Sequence, residues 1–215
     1  MVWLILLVAV VVLACIPLIR VDRACVPRII DGYDASAGLT AFDPQRRELL
    51  ESRSFEDQGA HVISIGDAAA VLHLYQRADG TVVTGLCGAN GEHPAHYTTT
   101  LLAEGGGWLE TRRTDRTPGP RQELVQVVPR ASLSDLLDRH DRALDAVRGH
   151  GVAPVRSLNG LDIHEYLGRA TRRSIRRNPV RWWIALLGKR LRPDQARDVA
   201  EMPRLEQRLS RMRLA

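Results

Sequence analysis

The chain has 215 residues, of which 45% are hydrophobic and 26% charged, with three cysteines and a formal net charge of +5. So few cysteines exclude a disulfide scaffold, and 17 glycines with 11 prolines exclude collagen-like and low-complexity sequence. The apolar content suffices for one packed domain with extensions.

Residues 1–19, MVWLILLVAVVVLACIPLI, carry no charged side chain and are dominated by Val, Leu and Ile. As a helix, Val2 to Ile19 reaches about 27 Å, close to the hydrocarbon thickness of a bilayer. The run is expected to be an uncleaved transmembrane anchor. A secretory signal would place Lys or Arg ahead of a shorter apolar stretch, and a buried core helix would show a polar face. Val12, Leu13, Ala14 and Cys15 approximate a lipid-attachment box, yet Ile16 to Ile19 continue the apolar run beyond it. Arg20, Arg23 and Arg28 follow the anchor, so the positive-inside tendency places the body on the cytoplasmic side of the cell membrane.

Residues 20–42 read as a juxtamembrane linker without helical or strand periodicity, and residues 43–151 as an α+β domain. Asp43 and Pro44 start a short helix, because the Asp oxygen accepts from unpaired amides and Pro at the first turn sacrifices no internal bond. His61–Ile65 is an expected strand, followed by a hairpin of 69–77 and 81–87 turning at Ala78, Asp79 and Gly80. A second hairpin is expected from 96–103 and 107–113, and a last strand from Arg121 to Val128. Together they predict an antiparallel meander packed against helices, with a partly closed barrel as the alternative. Ser132 and Asp135 form a capping-box variant that opens a helix, whose Leu133, Leu136, Leu137, His140, Leu144 and Val147 recur on one face.

Residues 152–215 read as a basic, amphipathic helical tail. From Leu161 to Ala215 there are fourteen basic residues against six acidic ones. Asn159 and Asp162 begin a helix with an apolar face of Ile163, Tyr166, Leu167 and Ala170 and a basic stripe of Arg169, Arg172, Arg173 and Arg176. Asn178 and Pro179 begin another, with Val180, Trp183, Ile184, Leu187 and Leu191 on one face and Trp182 widening it. Arg181, Lys189 and Arg190 surround that face, a combination favoured at a lipid interface. The same residues suit a module whose tryptophans pack on the body while its arginines face water. Pro203 is expected to leave the last segment kinked or frayed.

The compact group of chemically capable side chains is Cys87, Glu92, His93 and His96 in CGANGEHPAH. Thiolate, carboxylate and imidazole can hold zinc, and Cys with His can act as a nucleophilic pair. No second ligand pair accompanies the loop, which reads equally as a polar connection between strands. No nucleotide loop, nucleophile elbow or zinc-protease helix is present, and no cofactor is implied. The expected function is therefore a single-pass, membrane-anchored binding or scaffold module, more simply non-enzymatic. Its expected partners are the membrane, anionic lipid and a protein of unknown identity. A metal-dependent or Cys/His hydrolase is the alternative, and nucleic acid bound by the Arg-rich tail ranks behind both.

Overall fold

A computed structural model describes residues 3, 28–29, 42–65, 68–88, 95–103, 107–114, 123–190 and 196–213. The expected anchor, apart from residue 3, and most of the linker lie outside them. Among the described residues, no helix is long and apolar enough to cross a membrane.

The strands are β1 (Arg28–Ile29), β2 (Phe55–Ile65), β3 (Ala68–Arg77), β4 (Thr81–Gly88), β5 (Ala95–Leu101), β6 (Trp108–Arg112) and β7 (Glu123–Val127). The helices are α1 (Pro44–Ser52), α2 (Leu133–Gly149), α3 (Gly160–Arg177), α4 (Pro179–Arg190) and α5 (Leu205–Arg213). The strands form one mixed sheet in sequence order, so the α+β class stands. Each pair is antiparallel up to β6, whereas β7 runs parallel to β6 with Trp108 opposite Glu123. This corrects the all-antiparallel meander. A five-residue strand needs a return of only about 17 Å, and the eleven peptide steps from Arg112 to Glu123 span up to roughly 36 Å, enough for a crossover.

The local signals explain most elements. Asp43 Oδ1 accepts from the Arg46 amide at 2.8 Å, and Pro44 follows it into α1. Ser132 Oγ accepts from the Asp135 amide at 3.1 Å while Asp135 Oδ2 accepts from the Ser132 amide at 3.0 Å, completing the capping box of α2. The β3–β4 turn needs glycine for two reasons. Gly80 has φ +87°, and a Cβ there would lie 2.1 Å from the Val155 carbonyl oxygen. Asp79 Oδ1 also accepts from the Thr81 amide at 3.0 Å, closing the turn.

β2 begins six residues before the expected strand. Its first half, Phe55-Glu56-Asp57-Gln58-Gly59-Ala60, has the composition of a loop, but the long β3 ladder holds it. A bulge between Asp57 and Gly59 absorbs the register shift, with Gly59 at φ +91°.

Residues opposite one another across strands share a face. One such row is Tyr75, Val83, Thr98, Thr111 and Gln126; the row on the other face is Leu74, Thr84, Tyr97, Arg112 and Val127. On the first face, Val71, Tyr75 and Val83 pack with Leu50 of α1 and Leu133 and Leu137 of α2. Leu109 and Leu124 on that face pack with Leu144 and Val147 of α2 and with Leu205, Leu209 and Met212 of α5. On the second face, Leu72, Leu74 and Val82 pack with Ile163 of α3, and Leu101 and Trp108 with Ala170. Helices thus cover both faces of the sheet in three layers.

The segment expected to fray is packed instead. Val199, Leu205, Leu209 and Met212 are buried, the Val199 amide donates to Gln126 Oε1 at 3.1 Å, and Arg197 bridges Val127 on the outer edge of β7. Pro203 precedes α5 rather than interrupting it, so the helix-like spacing before it belongs to an irregular stretch that the core nevertheless covers.

Candidate functional site

Cys87 lies in β4, opposite Val71 of β3, and His96 lies in β5, opposite Gly85. Cys87 is buried beside Phe42, Tyr75 and Leu133, and burial raises its thiol pKa. That apolar setting disfavours the thiolate a nucleophile or metal ligand needs. His96 is buried against the Phe42 ring, with centroids 4.9 Å apart. Glu92 and His93 lie outside the described residues. Among those described, no group of three or more His, Cys, Asp or Glu side chains is placed to hold a metal ion.

Two arrangements of buried histidines lie on the sheet, at His73 and His96 and at His140. On the first face, Gly85 separates His73 from His96 across three strands, and Phe42 contacts both rings. His73 Nε2 lies 3.0 Å from Asp57 Oδ1, which also accepts from the Gly59 amide at 2.7 Å. Burial opposes the Asp57 charge, but the Gly59 and His73 bonds outweigh it and lower its pKa. Burial and the neighbouring Asp57 push Tyr75 up to about 12. The bulge therefore builds an Asp–His pair whose imidazole is in the core; no signal beyond Gly59 marks it in the sequence.

The second arrangement joins α2 to the sheet. His140 Nε2 lies 2.8 Å from Thr100 Oγ1 and its Nδ1 lies 2.8 Å from Thr111 Oγ1, while Thr100 in turn meets Thr81 at 3.0 Å. Burial holds the His140 pKa down to about 4, so the imidazole is neutral. Each hydroxyl can donate or accept, which satisfies both ring nitrogens in one tautomer. On the opposite face, the Tyr97 hydroxyl meets His164 Nε2 at 2.8 Å, and burial likewise lowers His164 to about 4. These contacts fasten helices to strands.

The α3–α4 surface is built differently. From Tyr166 to Pro193 the sequence has nine basic residues and no acidic one. Asn159 caps α3 through a 2.8 Å bond from the Asp162 amide. Ile163, Ala170 and Ile175 are buried, while Arg169, Arg173, Arg176 and Arg177 are exposed and Arg172 is partly buried. At 3.6 residues per turn these five arginines fan across about 140°, opposite the mean direction of the buried Gly160, Ile163, Gly168, Ala170 and Ile175. Arg169 pairs with Glu165 one turn earlier.

Asn178 ends α3 and begins α4. Its amide donates to the Ser174 carbonyl at 3.2 Å, and its side-chain oxygen accepts from the Arg181 amide at 3.1 Å. Trp182 then turns inward. It is 2% exposed, and its indole N–H donates to Ser174 Oγ at 3.1 Å. Trp182 therefore does not widen the apolar stripe; it faces the opposite way and docks the helix. Val180 and Ile184, one turn apart, are 66% and 60% exposed, and Trp183 is partly buried. Arg181 is exposed between them. Lys189 and Arg190 belong to α4, but their side chains lie outside those described.

Comparison of the chain with protein-family models, with curated proteins and with solved structures returned no match.

Proposed function

We propose that this chain is a membrane-tethered binding or scaffold module, held on the cytoplasmic side by residues 1–19, whose α4 outer face rests on anionic lipid. The observation that carries the reading is the exposure of Val180 and Ile184 within an acid-free cationic stretch, on a helix already fixed by Trp182. Immersing two such side chains in the headgroup boundary is worth about 2–3 kcal/mol, since each is only partly covered now. Each cation near an anionic surface adds roughly 1 kcal/mol. A tether makes this modest affinity sufficient, because the second contact becomes intramolecular. The hydrolase alternative gains no support from Cys87, whose burial raises its pKa.

The test is flotation of the chain lacking residues 1–19 with phosphatidylcholine vesicles, with and without phosphatidylserine. Association at low salt that needs phosphatidylserine, and is lost in the Val180→Asp/Ile184→Asp variant with unchanged circular dichroism, is the expected outcome. No association at low salt overturns the lipid contact. Salt-sensitive binding to DNA or RNA without vesicle binding transfers the arginines to a nucleic-acid role. Release of the full-length chain from membranes by alkaline carbonate overturns the anchor.

A further inference from the structure

On the face of the sheet covered by α1 and α2, three arginines meet with too few carboxylates to answer them. We infer that Arg46, Arg47 and Arg113 form a binding site for a phosphate-type oxyanion, between the first turn of α1 and the end of β6. The site is separate from the α3–α4 surface and does not rest on the lipid reading.

Two parts of the fold bring these residues together. Phe42, just before α1, sets its ring against His96 of β5 at 4.9 Å and His73 of β3 at 5.4 Å, so the chain enters α1 above the middle strands. Leu50 then packs with Val71, Tyr75 and Val83. Arg46 and Arg47, one turn before Leu50, lie about 40° and 60° to either side of it around the helix axis, which directs both toward the sheet. Arg112 is opposite Tyr97, so Arg113, the next residue, leaves β6 beside His96. There it comes within electrostatic reach of Arg46.

The charges do not cancel. Arg46 pairs with Asp43 at 3.3 Å, but among the described residues neither Arg47 nor Arg113 has an ion-pair partner. Both are partly buried, and the Nε–H group of each is buried without an acceptor. Glu48 and Glu51 are exposed on α1 and pair with neither, while Asp57 is engaged by His73 and the Gly59 amide. Burial, and then the neighbouring Arg46 charge, lower the Arg113 pKa. The helix adds to the same sign. Its first turn has no acidic residue, so Arg46 and Arg47 occupy the positive end of the dipole, where cations are disfavoured. An oxyanion answers all of this, because guanidinium forks bind phosphate bidentately. Two unanswered cations match the charge of about −1.5 to −2 on a phosphomonoester at neutral pH, whereas a single carboxylate leaves one arginine unpaired.

Thermal melts of the full-length chain in a neutral detergent test the site, with inorganic phosphate as the probe and sodium chloride at matched ionic strength as the blank. Phosphate is expected to raise the melting temperature of the native chain saturably. Arg113→Gln removes an unpaired and repelled charge, so it is expected to melt no lower than the native chain in chloride and to lose the phosphate-dependent rise. Arg47→Gln should reduce that rise, and Arg142→Gln, which replaces an exposed arginine of α2, should keep it. No phosphate-specific rise in the native chain overturns the site. A rise that survives in Arg113→Gln, or that falls equally in Arg142→Gln, overturns the assignment to these residues. A lower melt of Arg113→Gln in chloride shows that Arg113 serves the fold and overturns it too. Glycerol 3-phosphate, and phosphatidic acid in the micelle, used in turn as probes, separate a soluble ester from a lipid headgroup as the source: the one effective at the lower concentration identifies it.

Discussion

Replacing His140 by leucine isolates the polar link between α2 and the sheet. In the native chain the imidazole is neutral and bonded to Thr100 and Thr111, with its pKa depressed to about 4 from an ordinary 6.5. The unfolded chain binds a proton near pH 6.5 that the folded chain refuses until about pH 4. The neutral ring's contribution is therefore complete above the unfolded value and is lost as pH falls through that window. A tenfold difference in proton affinity between the folded and unfolded chains corresponds to about 1.4 kcal/mol, so acidification from pH ~7.5 to ~4.5 should cost the native chain about 2–3 kcal/mol through this residue alone. In His140→Leu, Thr100 retains Thr81, whereas Thr111 loses its imidazole partner, a loss of about 1–3 kcal/mol at neutral pH. Urea unfolding of both chains at the two pH values gives the comparison. His164, depressed in the same direction, is present in both chains and drops out of the difference. The leucine variant should be the less stable chain at neutral pH and should lose less on acidification. Equal acid losses in the two chains would refute the buried-histidine linkage.

Gly80→Ala should lower stability by about 2–4 kcal/mol, because the new Cβ meets the Val155 carbonyl at 2.1 Å and φ is +87°. A thermal melt within a degree or two of the native chain would contradict that turn geometry. Trp182→Ala removes a fully covered ring and its bond to Ser174, a change worth about 3–5 kcal/mol at a core site. Here the loss should appear first as faster amide exchange across residues 179–190, since α4 is docked through that ring. Exchange in α4 indistinguishable from the native chain would show that another contact holds the helix.

The elements readable in advance are those whose cause is local. Asp43, Ser132, Asn159 and Asn178 each present an oxygen to the amide three residues on, and each starts a helix where the cap places it. The β3–β4 turn is equally local, because Gly80 supplies the positive φ. β2 before His61 is different. Nothing within Glu56 to Gly59 favours a strand; the ladder along β3 does, and that partner lies across a turn with the bulge hidden inside it. The parallel pairing of β7 is likewise decided at a distance, since a strand of five residues reads the same in either direction and only the crossover determines which applies.

The α4 surface shows how a correct period can still misplace one residue, here Trp182. Val180, Trp183, Ile184 and Leu187 do recur at helical spacing, and amphipathicity alone directs such a stripe toward the core. Trp182 lies about 160° from Val180 around the helix axis at roughly 100° per residue, so the two cannot both be buried against one neighbour. The large aromatic ring wins, because burying Trp182 covers more apolar surface than burying Val180 and Ile184 separately on an arginine-flanked helix, and Ser174 accepts from its indole N–H. The aliphatic stripe is then left facing outward beside Arg181. An exposed aliphatic pair on a helix whose other side is docked marks a contact surface more strongly than isolated exposed leucines elsewhere would. In the proposed lipid contact, the charge around it sets the preference for an anionic partner. With no acidic side chain from Tyr166 to Pro193, the surface complements an anionic sheet of headgroups and repels a basic protein face.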